Sequence, residues 1–170
     1  VEEGIIKGMY LYEKSKNKYK NCVNLLASGS ILNEAIAASK ILKDDWKIDS
    51  NLWSVTSFSE IRRDAEDVER WNNLNPLSTP KKSHIGNCLN LKTPVIAVSD
   101  YVKLVAEQIG PYISSSFTAL GTDGFGRSDT RENLRDFFEI NRYYITLAAI
   151  NSLIKEGKLK KEVLSKAIKQ

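Results

Sequence analysis

One histidine, one methionine, two cysteines and four prolines in 170 residues set the first limits. His84 is the lone imidazole, and Cys22 and Cys88 share no short ligand spacing, so no clustered metal ligands are expected. There is no run of about 18 apolar residues, so no membrane-spanning helix is expected. The opening VEEGIIKGMY has neither a basic start nor a long apolar stretch, which argues against a secretory signal. Without that signal, both cysteines are expected as reduced thiols in a cytoplasmic protein. Position 1 is Val rather than an initiator Met, which suggests a processed chain or a piece of a longer one. Arg-rich helices and aromatic-studded basic stripes are also missing. The net charge of +4 comes mainly from Lys14, Lys16, Lys18 and Lys20 and from the tail between Lys155 and Lys169. Only Tyr19 accompanies the first group, and Glu156 and Glu162 interrupt the second, so nucleic acid is not an expected partner.

What is present is enough for a core. At 42% hydrophobic residues, the chain is expected to fold as a single domain over 1–170. Residues 4–14 alternate loosely and read as a strand, with a lysine-rich hairpin turn from Ser15 to Asn21. Val23 to Ala27 is an apolar run, expected to pair antiparallel with that first strand. Ile31, Ala35, Ala38 and Leu42 recur at helical spacing and predict one buried face. Residues 44–51 read as a return loop and Leu52 to Val55 as the next strand. Ser57 or Ser59 can cap a polar helix from Glu60 to about Trp71. Its Asp64, Glu66, Asp67 and Glu69 stand among Arg62, Arg63 and Arg70, as on a solvated surface. Pro76 and Pro80 make 72–93 the irregular stretch. His84 and Cys88 are four residues apart, yet Pro80 and Gly86 argue against a regular helix, and His84 is expected on a loop surface.

PVIAVS at 94–99 reads as a buried strand, and Asp100 as the cap of a helix to about Ile109. Phe117 to Leu120 is the last strand, and helices follow over 143–154 and 160–169. Strands alternating with helices predict an α/β fold: a three-layer α/β/α sandwich with a mixed, mostly parallel sheet of about five strands, the first antiparallel. Ser28-Gly29-Ser30 follows an apolar strand and opens a helix, so an anion could bind there. That supports one alternative reading, a free-standing anion- or nucleotide-binding module.

The organising stretch is GTDGFGRSDTRENLRDFFEIN, residues 121–141. Gly121, Gly124 and Gly126 predict a sharp turn with positive φ. Asp129 and Glu132 predict a reciprocal cap on a helix ending near Phe138. The stretch GTDGFGRSDTRENLR followed by FE resembles the C-terminal segment of the homodimeric type of pyruvate dehydrogenase decarboxylase. LLASGSIL at 25–32, SVTSFSEIRRDAEDVERWN at 54–72 and DYVKLVAEQI at 100–109 are similar to the same family, in the same order. Phe125, Gly126, Ser128 and Leu134 also fit a pattern similar to transketolase C-terminal domains. Asn75, Asp136 and Phe137 stand at positions where the family tends to carry histidine.

The resemblance implies a three-domain homodimeric enzyme that decarboxylates pyruvate with thiamine diphosphate and magnesium and passes the acetyl unit to a lipoyl-acetyltransferase component. Its cofactor would lie between the first two domains of opposite subunits, held by a Gly-Asp-Gly start that this sequence lacks. No catalytic, cofactor-binding or metal-binding residue is therefore expected here. The implied partners are the remaining domains, the second subunit and the acetyltransferase component. The candidate interface residues are Gly121, Asp123, Phe125, Gly126 and Arg127 in the glycine-rich turn, with Trp71 and Asn75 near the irregular stretch.

Overall fold

A five-stranded sheet in the order β1-β3-β2-β4-β5 organises the computed structural model, which describes residues 1–16, 18–89 and 92–169. The strands are β1 Met9–Glu13, β2 Asn21–Ser28, β3 Ile48–Val55, β4 Val95–Val98 and β5 Phe117–Leu120. β2, β3, β4 and β5 run parallel, and only β1 is antiparallel. The helices are α1 Glu2–Ile6, α2 Leu32–Trp46, α3 Phe58–Leu74, α4 His84–Cys88, α5 Lys103–Glu107, α6 Arg131–Phe137, α7 Arg142–Lys155 and α8 Lys161–Ile168. Within the expected lysine-rich turn Asn17, and within the expected irregular stretch Asn90 and Leu91, lie outside the described residues.

Two cores flank the sheet. Val23, Leu25, Ile48, Leu52, Ile96 and Val98 point to one side, against Ala35, Ala38 and Leu42 of α2 and Ile145, Ala149 and Leu153 of α7. Leu26, Trp53, Val55, Val95 and Ala97 point to the other, against Phe58 and Ile61 of α3, Ile85 of α4 and Ala106 of α5. β4 is buried along its whole length, as a central parallel strand covered on both faces must be. The three-layer architecture is as the alternation of elements predicts. Among the described residues, no helix is long and apolar enough to cross a membrane.

Local expectations need correction, beginning with the N-terminal strand. β1 is antiparallel to β3 rather than to β2, with Met9 opposite Val55. The lysine-rich segment is therefore a link across the end of β3 and no hairpin turn. It is tied down by the Ser15 amide on Asn51 Oδ1 (3.0 Å) and the Tyr19 amide on Asp49 Oδ2 (2.7 Å). The strand expected from residue 4 is preceded by α1, and Gly8, at φ 93, makes the break between them. The return loop expected over 44–51 is partly strand, because Lys47 ends α2 in the left-handed conformation and β3 begins at Ile48. Its polar residues are satisfied inside the fold: Ser50 donates to Ser39 (2.7 Å) and Asn51 to Asn24 (3.0 Å).

The expected irregular stretch contains α4, whose N-terminus is capped by Ser83. His84 is half-buried at its first residue rather than on a loop surface. Its amide donates to Asp64 (2.6 Å), and its Nε2 lies 2.8 Å from the Met9 carbonyl. Ser57 is the cap of α3, accepting from the Glu60 amide at 3.1 Å.

Candidate functional site

The order of strands reverses direction at β2: the chain steps from β2 to β3 on one side and later to β4 on the other. In open α/β sheets the crevice beyond the strand ends at such a point is where sites form. Three loops meet there. Ser30 follows β2, Asp100 follows β4, and the segment from Gly121 follows β5. A cleft of about 460 Å³ lies among them, with Ser30, Asp100, Phe125, Arg127, Arg135 and Phe138 in its walls.

The 121–141 segment is laid against the body by its first residues. Thr122 donates its amide to the Tyr101 carbonyl at 2.8 Å. Asp123 Oδ1 accepts from the Lys103 amide at 3.2 Å, which puts a carboxylate at the start of α5. The expected cap, Asp100, instead accepts from the Ser30 hydroxyl at 3.0 Å, because the helix starts two residues later than the sequence suggests. A Cβ on Gly121 would stand 2.4 Å from the Lys103 Cα, so only glycine lets these loops approach so closely. Gly124 has φ 95 and makes the turn itself. Gly126 has neither a positive φ nor a close neighbour, so the expected glycine conformation holds at Gly124 alone of the three.

Beyond the turn the segment projects into solvent. Phe125 is 96% exposed. The Arg127 guanidinium carbon lies 3.9 Å from the centre of the Phe137 ring, and Phe137 meets Phe138 edge-on at 5.0 Å. The cap of α6 is Thr130, whose hydroxyl accepts from the Asn133 amide at 3.3 Å, and not the Asp129–Glu132 pair. Asp129 sits one residue too early for that role. It accepts from the Thr130 amide (2.7 Å) and from Asn133 Nδ2 (2.8 Å), and the Asn133 bond first, then the Thr130 amide, hold its carboxyl below the usual range.

A charged cluster that the sequence reading missed fastens the segment behind the cleft. Glu34, buried in the first turn of α2, receives Arg135 Nη1 on Oε1 at 3.0 Å. Arg142 reaches the same carboxylate with Nε on Oε2 (2.9 Å), Nη2 on Oε1 (3.1 Å) and its own backbone amide on Oε2 (3.0 Å). Hydrogen bonding from Arg142 lowers the Glu34 pKa against the opposing effect of burial. Arg135 Nη2 also donates to Ser30 Oγ at 3.1 Å. A signal was available: Glu34 lies four residues before Ala38 on the apolar stripe, and an acid there requires cationic partners.

The two sets of candidate residues do not come together. α3 starts at the C-terminal end of β3 and runs back for about 25 Å, so Trp71 and Asn75 lie at the far end of the sheet. There Lys81 Nζ stands 4.0 Å from the centre of the Trp71 ring, and Asn75 Nδ2 donates to the Trp71 carbonyl at 2.8 Å. The Cys88 Sγ is 3.6 Å from His84 Nε2, but that nitrogen faces the Met9 carbonyl and burial pushes the thiol pKa up. This pair is poorly placed for nucleophilic work. Cys22 and Cys88 are both free thiols. Among the described residues, no three or more His, Cys, Asp or Glu side chains form a group that could hold a metal ion.

The mixed five-stranded sheet, its two helical layers and the loop-built cleft define an α/β domain of the kind that ends the transketolase-like enzymes. The family model of the transketolase-like TK C-terminal domain matches residues 8–141, and the chain belongs to that family. It is 49% identical over 172 residues to the pyruvate dehydrogenase E1 component of Cupriavidus necator, covering 100% of this chain and 19% of that protein. The pyruvate dehydrogenase E1 component of Pseudomonas aeruginosa is 50% identical over 169 residues, with 98% of this chain and 19% of that protein covered. Among solved structures, transketolase from Leishmania mexicana superposes with a TM-score of 0.62 at 18% identity, over 90% of this chain and 19% of that one. The chain thus spans about a fifth of the length of the curated relatives it matches.

Proposed function

We propose that this chain acts as the C-terminal, non-catalytic domain of a pyruvate dehydrogenase decarboxylase. In that reading all 170 residues form one domain within a homodimeric, thiamine-diphosphate- and magnesium-dependent enzyme. That enzyme hands its acetyl unit to a lipoyl-acetyltransferase component of a cytoplasmic multienzyme complex. The single observation that carries the proposal is near-complete alignment of this chain, at about half identity, with one fifth of pyruvate dehydrogenase E1 components. The domain's contribution is surface. Asp123, Phe125, Gly126 and Arg127 form a projecting docking edge, carried on the close approach at Gly121, with Trp71 and Asn75 a second contact at the opposite end. In this reading thiamine diphosphate and magnesium are held by other domains, since the sequence has no Gly-Asp-Gly start of the kind the family's cofactor site uses.

The alternative anion site at Ser28–Ser30 draws no support from the geometry. The Ser30 hydroxyl is used by Asp100 and Arg135, and a carboxylate stands where an anion would approach. The direct test is calorimetric titration of this chain into a polypeptide carrying the remaining domains of the decarboxylase. Saturable binding is expected, weakened about tenfold or more by Phe125→Ala, as for an exposed aromatic anchor. No binding by the unsubstituted chain would overturn the proposal.

A further inference from the structure

The segment that carries Phe125 and Arg127 has little apolar burial to hold it. Every residue from Asp123 to Asn133 is exposed, α6 contributes no buried side chain, and Ile140 is the one buried residue of 121–141. A segment of this kind belongs to the low-stability end of a fold unless polar contacts fasten it. Thr122 and Asp123 fasten its start, and beyond the turn the charged fastening is concentrated on one carboxylate. Glu34 accepts from Arg135 of α6 and from Arg142 at the first residue of α7, so both helices that follow the projecting turn are tied to the same point.

The anchor stands on a helix packed into the core. α2 is set into the core by Ala35, Ala38 and Leu42, all fully buried. From it a continuous polar chain runs outward: Arg142 to Glu34, Glu34 to Arg135, Arg135 to Ser30 Oγ, and Ser30 to Asp100. We infer that Glu34 is a positioning residue: it latches the 121–141 strap to α2 and so fixes the direction in which the projecting turn faces. The consequence for docking rests on the function proposed above, but the latch itself does not. A neutral amide at this position could not accept from both guanidinium groups and the Arg142 amide together.

Hydrogen exchange on this chain tests the latch without any partner. In Glu34→Gln, amides of α6 and of the first turn of α7 should exchange about tenfold faster, while those of β2 and β4 keep their protection. Glu132→Gln, an exposed acid on the same strap, should change neither. Unaltered exchange along the strap in Glu34→Gln would overturn the inference. So would uniform acceleration that reaches β2 and β4, since Glu34 would then be a general stabiliser of the core. Should Glu34→Gln fail to fold, Arg135→Lys reads the same latch by removing the fork while keeping the charge. Failure of the unsubstituted chain to bind the remaining domains would sink the docking role and leave the exchange result standing.

Discussion

Glu34 is the side chain whose chemistry most constrains the molecule. It is buried, charged and shared by Arg135 and Arg142, so removing it leaves two guanidinium groups without their carboxylate at the root of the strap. Its pKa is lowered first by the Arg142 hydrogen bond, so its stabilising contribution is complete above the ordinary carboxylate pKa of about 4.3. That contribution is lost as pH falls through the depressed folded value. Hydrogen exchange from pH 6 downward, corrected for intrinsic rates, should therefore show the α6 amides losing protection more steeply below about pH 4 in the unsubstituted chain than in Glu34→Gln. The other carboxylates are common to both proteins and drop out of the difference. Parallel profiles would contradict the assignment. The sequence placed Ile31, Ala35, Ala38 and Leu42 on a buried face because apolar spacing records burial directly. It did not disclose which cations Glu34 meets, since a charge on that face gains its partners only when α6 and α7 fold back over a hundred residues later.

The loops after β4 and β5 behave as one unit, because Gly121 lies against Lys103 and Asp123 caps the helix that Lys103 begins. Gly121→Ala should destabilise the fold by about 1–3 kcal/mol, the usual cost of forcing extra volume into a packed contact. A shift below about 0.5 kcal/mol in urea unfolding would show that the loops can separate freely. The ends of elements were the least legible features. Asp100 has the chemistry of a cap and precedes an apolar-periodic run, yet a turn through Tyr101 and Val102 intervenes and a residue from the next loop takes the role. Asp129 was displaced in the same way by Thr130, one position on. β3 was read too short because Asp49, Ser50 and Asn51 look like loop residues. They are strand residues whose polar groups find partners in Tyr19, Ser39 and Asn24.

The layered architecture followed from alternation of apolar runs and helical spacing, and the parallel sheet from the connections that such alternation demands. Pairing of the first strand was not legible at this level, since a short strand at the N-terminus can join a sheet edge away from the next strand in sequence. It joined β3, where Met9 fills the core opposite Val55. Docking surface resists sequence reading for a related reason. By its chemistry alone Phe125 suits core and surface alike; its place among the candidate contacts comes from the resemblance, and in the fold it is 96% exposed. The account's central claim is that this domain supplies shape and contact while the reacting groups lie elsewhere. Pyruvate decarboxylation with added thiamine diphosphate and magnesium, measured for this chain alone and for its mixture with the remaining domains, tests that claim most directly. No turnover is predicted for the chain alone, with activity in the mixture; saturable turnover by the chain alone would contradict it.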